Sequence, residues 1–259
     1  MWGKPLIVDW GRSAWAGHGG PVKVVCWNLE RKKPSTPTGA VAVKRIAAEA
    51  PDVVVVTEAR IGHLDSLGGY ELSPKRPVGE RFADDERKVL VWSRNPWRDV
   101  DLVGDPELPG PRFVAATTDT PIGEVRVIGV CIPWHMCDVR TGAKDKRPWE
   151  QHQRWLELFE PLIGADTQRL PTIIAGDFNQ RVPRRKGGRR DVAEQLAAVL
   201  ADFHIVTESV PPGCERQGID HIALGPGLRS IDVRGWPNDD GGVRMSDRDA
   251  AVAELRLVR

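Results

Sequence analysis

Residues 174–180 carry the pair of side chains best suited to chemistry. They read Ile-Ala-Gly-Asp-Phe-Asn-Gln and place Asp177 and Asn179 two positions apart, just after the apolar run Pro171–Ala175. If that run is a β-strand, side chains two positions apart point to the same side. A carboxylate that can take a proton from water would then stand beside an amide that can hold this water or a phosphate oxygen. The pairing suits hydrolysis of a phosphate ester, although Asp-x-Asn also begins many Asx turns.

Polar residues of similar kinds stand at the ends of the other predicted strands. Taken singly, each could cap a turn or lie in a solvated loop. Together they are harder to explain by solvation, because side chains of these types bind metal ions or phosphate. The strand ends carry Asn28, Glu58, His135, Asp177 with Asn179, Asp220 with His221, and Asp247 with Arg248.

The elements that must position these residues are short apolar strands that alternate with amphipathic helices and turns rich in Pro and Gly. This order predicts one mixed α/β domain over residues 22–259, with stacked sheets and outer helices, after an N-terminal extension over residues 1–21. The predicted strands are Val22–Cys26, Asp52–Val56, Val89–Trp92, Phe113–Thr117, Val125–Ile132, Pro171–Ala175, Ile219–Leu224 and Ala250–Leu257. The predicted helices are one through Val43 and Ile46 that stops at Pro51, one through Trp155 and Phe159 that Pro161 ends, and one capped by Asp191 with Glu194 that buries Val192, Leu196, Val199 and Leu200.

Composition bounds the class of protein. The chain has 259 residues, 41% of them hydrophobic, and a net charge of +1, so any attraction to a polyanion must be local. Four cysteines without Cys-x-x-Cys spacing are too few for a disulfide scaffold and favour free thiols in a reducing compartment. No apolar run reaches the roughly 20 residues that span a bilayer. We therefore expect a cytoplasmic monomer without membrane association.

A local basic run follows the Asp177 motif. Six of the ten residues in 181–190 are Lys or Arg, and Arg184, Arg185, Arg189 and Arg190 are candidate substrate contacts. A charge run is often only a solvated loop, but its place after the motif favours a polyanion. Nucleic acid, a nucleotide or an inositol polyphosphate would fit. Trp134 and the other tryptophans near the motifs are interpreted as packing residues rather than as surfaces for base stacking.

The motifs, taken in order, resemble those of the endonuclease/exonuclease/phosphatase superfamily, the deoxyribonuclease I-like proteins. The resemblance covers nearly the whole chain from Val22. It implies a four-layer α/β sandwich with two central mixed, mostly antiparallel β-sheets flanked by helices, and an active site on the loops at one edge. The motifs are Trp-Asn-Leu at 27–29, Thr-Glu-Ala-Arg at 57–60, His135, Gly-Asp-Phe-Asn at 176–179, Asp-His-Ile at 220–222 and Ser-Asp-Arg-Asp at 246–249.

The resemblance also implies a metal site. Glu58 would be the main ligand of a divalent cation, with Asn28 and Asp247 as further ligands. Oxygen ligands of this kind suit Mg²⁺ or Mn²⁺, with waters completing the coordination.

Roles in catalysis follow from the same resemblance. Asp177 would position or deprotonate the attacking water, Asn179 would hold a phosphate oxygen, and His135 would donate to the phosphate or protonate the leaving oxygen. Arg60 would contact a phosphate, and Glu86 would orient His135. The expected reaction is metal-assisted, in-line attack of water on phosphorus in a phosphate-ester substrate, most simply a nucleic acid.

One position departs from the family pattern. Arg248 stands where the family has a histidine that pairs with the aspartate corresponding to Asp220. An arginine can pair with Asp220 and bind phosphate, but it cannot shuttle protons near neutral pH because its pKa lies above about 12. Three hypotheses therefore stand: a Mg²⁺-dependent, nuclease-like phosphodiesterase, a non-catalytic binder of nucleic acid or phosphorylated ligands, and a small-molecule phosphomonoesterase.

Overall fold

The computed structural model describes residues 19–76, 82–166 and 170–258. Within these ranges the chain forms three α-helices, α1 (Pro37–Ala48), α2 (Glu150–Asp166) and α3 (Arg190–Val199). The strands are β1 (Val22–Asn28), β2 (Val53–Arg60), β3 (Tyr70–Leu72), β4 (Glu86–Ser93), β5 (Trp97–Asp101), β6 (Phe113–Thr120), β7 (Gly123–Cys131), β8 (Thr172–Asp177), β9 (His204–Ile205), β10 (Asp220–Leu224), β11 (Leu228–Trp236), β12 (Asp239–Asp240), β13 (Val243–Arg244) and β14 (Ala250–Leu257).

These strands build two six-stranded sheets and one small hairpin, β12–β13. The first sheet has the order β11-β14-β1-β2-β4-β3, and the second has the order β5-β6-β7-β8-β10-β9. Each sheet contains one parallel pair, β1–β2 in the first and β7–β8 in the second, and its other pairs are antiparallel. The predicted pair of mixed, mostly antiparallel sheets is confirmed.

Three apolar clusters separate four layers. The valine run of β2 shows the arrangement, because its side chains alternate between faces. Val53 and Val55 lie in the cluster between the two sheets, whereas Val54 and Val56 lie in the outer cluster that also holds Ile46 of α1. The outer face of the second sheet packs against α2 and α3 in a third cluster. The four-layer sandwich is therefore confirmed, with the run buried on both faces.

Two details of the helices differ from prediction. Pro161 was expected to end its helix, but α2 continues through it to Asp166. Pro161 itself is exposed, while Phe159 and Ile163 are buried on the opposite face, so apolar burial outweighs the lost backbone hydrogen bond. The predicted cap by Asp191 with Glu194 is also wrong. The helix begins at Arg190, and Asp191 lies in its first turn, where an acid complements the helix dipole.

The two parallel pairs determine where functional residues can meet. Parallel strands end on the same side, so the ends of β1 and β2 lie together, as do the ends of β7 and β8. The antiparallel strands β10 and β14 begin at that same edge, since Asp220 pairs with Asp177 and Ala251 pairs with Cys26. The strand-end polar residues therefore gather along one edge of the sandwich.

Other predictions concern the chain as a whole. The N-terminal extension over residues 1–21 falls mostly outside the described residues, of which Gly19 is the first. All four cysteines are free. Among the helices that the structure describes, none is long and apolar enough to cross a bilayer.

Two buried histidines anchor the loop that follows β8. His152 shares a hydrogen bond from Nδ1 to the carbonyl oxygen of Pro133 (2.7 Å), and its Nε2 contacts the side-chain amide nitrogen of Gln180 (2.7 Å). His221 contacts the Gln180 carbonyl oxygen through Nε2 (2.9 Å) and the Thr207 hydroxyl through Nδ1 (3.2 Å). The His152 ring thus donates from Nδ1 and accepts at Nε2, which only the neutral form can do, and the Thr207 hydroxyl lets the His221 ring do the same. Burial lowers the pKa of both histidines to about 4.

We expect this pair to make the fold sensitive to acid. The unfolded chain takes up protons below pH 6.5, the ordinary histidine pKa, whereas the folded chain resists protonation down to about 4. The free energy of unfolding should therefore fall as pH drops through this window, by on the order of 2 kcal/mol per histidine between about pH 7 and 5. Urea titrations at both pH values should show a smaller fall for His221→Gln than for the unmodified protein. The exposed His204→Gln variant is the control, and an unchanged fall in His221→Gln would contradict the assignment.

Candidate active site

The end of β1 is tied to the loop that carries Asp247 and Arg248. The Trp27 indole N–H donates to the carbonyl oxygen of Arg248 (2.9 Å), and the buried Ser246 hydroxyl donates to the carbonyl oxygen of Asn28. The Asn28 side chain in turn donates to Asp177 Oδ2 (3.2 Å). A buried hydrogen bond thus links the first sheet to the second directly at the proposed site. The Trp-Asn and Ser-Asp-Arg motifs are therefore neighbours in space.

Glu58 forms ion pairs with the side chains of Arg31 and Lys88, and its backbone conformation is strained. Its φ of 45° lies in the left-handed region that non-glycine residues rarely adopt, within strand β2. Glu58 Oε1 accepts from Arg31 Nη2 (3.0 Å) and from Lys88 Nζ (3.3 Å). Burial alone would raise the pKa of this carboxyl, but Lys88 and Arg31 outweigh it and hold the pKa below its ordinary value. Strain of this kind is stored most often at functional sites.

Asp177 and Asn179 do meet, but not through the expected strand geometry. Strand β8 ends at Asp177, and Asn179 has a left-handed backbone with φ of 53°, so the same-side argument for a strand is wrong. An Asx turn brings them together instead, since the Asn179 N–H donates to Asp177 Oδ1 (2.9 Å). The Asn179 amide also donates to the carbonyl oxygen of Ile132 (2.8 Å). Gly176 is required before them, because a Cβ there would lie 1.9 Å from the carbonyl oxygen of Val130.

Two buried carboxylates face each other across β8 and β10. Asp177 and Asp220 are direct cross-strand partners, and each side chain is at most 5% exposed. Burial raises the pKa of Asp177 to about 6, and burial together with Asp177 raises that of Asp220 well above its ordinary value. Arg248 opposes both shifts with its positive charge. Neither oxygen of Asp220, nor Nε of Arg248, has a hydrogen-bond partner among the described residues. The cluster therefore contains carboxylate oxygens without a donor and a guanidinium N–H without an acceptor, among the described residues.

His135 lies at a cavity of about 400 Å³ beside this cluster. The exposed His135 ring stands between the indoles of Trp134 and Trp149, with ring centroids 5.2 Å and 5.5 Å away. The lining also includes Asn179, Gln180, Arg181, Arg184, Arg185, Gly188, Arg189, Ile219 and Arg248. Three of the four predicted substrate-contact arginines of the basic run thus face the cavity. Arg190 does not line it and instead pairs with Glu194 along α3 (2.7 Å).

Arg60 and Glu86 lie away from the cavity, paired with each other. Arg60 is 8% exposed and donates to Glu86 (2.7 Å), to Asp85 (2.6 Å) and to the carbonyl oxygen of Arg31 (3.0 Å). These contacts give Arg60 a structural role, which is to hold the segment that brings Arg31 to Glu58. Its predicted contact with substrate stays a prediction. Glu86, expected to orient His135, contacts Arg60 instead.

Sequence reasoning missed four residues of this region. Lys88 offered the clearest signal, because a lysine inside the apolar strand β4 is buried only when it is paired. Arg181 belongs to the basic run but was not selected from it. Arg31 and Trp149 are brought to the site by chain reversals for which no spacing rule exists.

The residues present suit a hydrated divalent cation. Arg31 and Lys88 both contact Glu58 Oε1, and within the described part of the chain the buried carboxylate of Asp220 has no hydrogen-bond partner. Among the described residues, no three acidic, histidine or cysteine side chains converge as a closed metal cage. An open set of one or two carboxylates with an amide is what Mg²⁺ accepts, since it keeps several of its waters. Glu58, Asn28 and Asp247 could therefore hold Mg²⁺ or Mn²⁺.

Several solved structures share this fold at low sequence identity. An endonuclease/exonuclease/phosphatase from Beutenbergia cavernae DSM 12333 is 21% identical, with a TM-score of 0.65 over 92% of this chain and 72% of that chain. The 3′ phosphatase NExo from Neisseria, bound to a product DNA hairpin, is 19% identical, with a TM-score of 0.65 over 90% and 98%. An AP endonuclease from Archaeoglobus fulgidus is 15% identical, with a TM-score of 0.65 over 90% and 98%. These likenesses show the fold alone.

Sequence comparison adds the family assignment. No curated protein matches the chain significantly. A family model described as Endonuclease/Exonuclease/phosphatase family matches residues 25–247, which is most of the chain, from β1 to the Ser-Asp-Arg motif. The matched region contains these motifs as far as Asp247 and ends one residue before Arg248. The chain belongs to the endonuclease/exonuclease/phosphatase family.

Proposed function

We propose that this protein is a divalent-metal-dependent phosphodiesterase of the nuclease type. The observation that carries the proposal is the gathering of strand-end acids and amides beside an arginine-lined cavity at one edge of the sandwich. The acids supply sites for a cation and for water, and the arginines supply sites for phosphates. The proposed reaction is hydrolysis of a phosphate ester by in-line attack of water.

Asp177 is the proposed acceptor of the proton from the attacking water. Two hydrogen bonds orient its carboxylate, one from Asn28 to Oδ2 and one from the Asn179 backbone to Oδ1. A carboxylate fixed in this way needs no reorganisation before it acts. Its burial beside Asp220 also keeps bulk water from competing with the attacking molecule.

Arg248 and His135 are proposed to act on the phosphate. The Arg248 Nε–H is buried without a partner among the described residues, and the side chain lines the cavity, so it can donate to a phosphate oxygen. His135 is exposed in the same cavity and is placed to protonate the leaving oxygen. Asn179 lines the cavity beside them, where it can contact a second phosphate oxygen.

Glu58, Asn28 and Asp247 are the proposed ligands of Mg²⁺ or Mn²⁺. When bound, the cation would neutralise charge that develops on the phosphate oxygens. Lys88 and Arg31 keep Glu58 ionised and so ready to bind it. Nucleic acid is the proposed substrate, because Arg184 and Arg185 give the cavity wall a local positive charge on a chain of net charge +1. The fold neighbour NExo is itself bound to DNA. We further propose that the protein is a monomer and that it is cytoplasmic, and the free thiols support the second of these statements.

The proposal is tested by hydrolysis of bis(p-nitrophenyl) phosphate and plasmid DNA with Mg²⁺, with Mn²⁺ and with chelator. We expect cleavage of both substrates that requires the metal and falls by about a hundredfold or more in Glu58→Gln, because the main cation ligand loses its charge. Arg190→Gln, outside the cavity, is the control and should stay active. If the protein releases p-nitrophenol from p-nitrophenyl phosphate in a metal-dependent way but cleaves neither diester, it is a monoesterase and the nuclease proposal is wrong.

A second candidate function is binding of phosphorylated ligands without hydrolysis. The observation that favours it is Arg248, which cannot exchange protons near neutral pH. It stands beside Asp220 where the family motif has a histidine.

The two candidates make opposite predictions for Arg248→His. In a working but slow enzyme, the histidine should raise kcat on plasmid DNA by about a hundredfold, the lower end of the range for a positioned acid or base. In a binding protein, the variant should remain inert while it still binds a DNA strand in chelator. Arg184→His serves as the matched control at the cavity rim. A fall in kcat for Arg248→His alone would show that the arginine itself is required.

A further inference from the structure

The cavity beside the acidic cluster has two chemically different walls. One wall is aromatic, with Trp134 and Trp149 on either side of His135. The other wall is cationic and carries Arg181, Arg184, Arg185, Arg189 and Arg248. None of the described residues that line the cavity is acidic. A ligand that fills this space must therefore present a flat apolar ring on one side and negative charge on the other.

One residue of the aromatic wall, Trp149, has a strained backbone conformation. Trp149 has φ of 75°, a left-handed value that is a genuine outlier for a bulky side chain. Its N–H donates to the His135 carbonyl oxygen (2.7 Å), and its own carbonyl oxygen accepts from Gln153 in the first turns of α2. Its indole is only half-buried and packs edge-on against His152 at 5.1 Å. The chain thus maintains local strain to present a tryptophan to the cavity rather than to the core.

Most arginines of the cationic wall form no ion pair with an acidic side chain among the described residues. Arg184 donates to the carbonyl oxygens of Arg185 and Gly188, which carry no charge. Burial lowers the pKa of Arg181, and so do the like charges of Arg185 and Arg248. Among the described residues, Arg189 pairs with Asp191 and Arg248 with Asp247 (3.9 Å), and no other lining arginine forms an ion pair. The wall is therefore suited to bind more than one phosphate.

We propose that the Trp149 indole of the aromatic wall stacks an unpaired nucleobase while the arginine wall binds the phosphates next to it, so that the substrate is single-stranded or frayed nucleic acid. This inference rests on the proposed function, since it names the substrate of the same site. Every base offers a flat face to an indole, so this contact is indifferent to sequence. A base inside an intact duplex is covered on both faces by its neighbours and reaches the indole only if it is extruded. Trp134, interpreted from sequence as a packing residue, therefore lines the wall that selects the substrate.

The test measures binding in chelator, where no cleavage is needed. Fluorescence anisotropy compares a short labelled DNA strand with a strand of equal length and charge built only of abasic units. We expect the unmodified protein to bind the base-bearing strand about tenfold more tightly, because stacking of one base is worth roughly 1–3 kcal/mol. Trp149→Leu should remove this difference, and Trp149→Phe should retain most of it. Trp97→Leu, at a half-buried tryptophan on strand β5, is the control and should change nothing.

The salt dependence of DNA binding distinguishes the contribution of the aromatic wall from that of the cationic wall. Trp149→Leu should leave the slope of log affinity against log salt unchanged, whereas Arg184→Gln should flatten it and Arg190→Gln should not. Equal binding of the two strands by the unmodified protein would overturn the inference, as would an equal loss for both strands in Trp149→Leu. Either result would leave the hydrolysis proposal standing if plasmid DNA is still cleaved. If the protein binds the base-bearing strand more tightly but hydrolyses no substrate, the stacking inference would stand and the hydrolysis proposal would fail.

Discussion

The burial of Asp177 and Asp220 as cross-strand neighbours constrains everything else at the edge of the sandwich. Two carboxylates cannot both ionise in a buried site without compensating positive charge, and like charges directly opposite each other destabilise a sheet. Arg248 supplies part of that charge, yet Asp220 still has no hydrogen-bond partner among the described residues. A site built this way favours the arrival of a cation or of a proton. The Trp27 indole donates to the Arg248 carbonyl oxygen, and the Arg248 backbone N–H donates to the Ser246 hydroxyl, so both contacts keep Arg248 in place beside this pair.

Three residues at the site or the cavity have strained backbones, and the packed sheets around them hold these conformations. Glu58, Asn179 and Trp149 all have left-handed backbones, and each brings a side chain to the site or the cavity. Such conformations persist only where the surroundings over-determine them. Here the two packed sheets and the histidine pair that grips the Gln180 segment provide that support. The sheets and the histidine pair therefore fix the positions of the functional side chains before substrate binds.

The fold was predictable because its signals are local and repeated. The valines of β2 and the apolar spacing of α1 and α3 report burial through period alone, and the order of strands and helices limits the architecture. The strand-end polar residues followed from the same reasoning, since parallel strands end together. The precise contacts of Asn179 were not predictable, because a left-handed turn rather than a strand places it.

What escaped prediction depends on contacts between distant segments. Lys88 and Arg31 reach Glu58 from a different strand and a different loop, and the ion pairs of Arg60 exist only because those segments are adjacent. Trp149 reaches the cavity through the chain reversal before α2. The spacing of apolar residues along the chain does not predict contacts between such distant segments. The departure at Arg248 was visible in sequence, but its half-buried position beside Asp177 and Asp220 required the structure.

The central claim is that the strand-end residues form one site that holds a divalent cation next to a phosphate. The most direct measurement is an anomalous difference map from crystals of the protein soaked with Mn²⁺ and inorganic phosphate. The account predicts a peak in contact with Glu58, close to Asn28 and Asp247, with phosphate density between it and Arg248. No peak at Glu58 under conditions in which Mn²⁺ supports hydrolysis, or a peak only at surface acids, would contradict it.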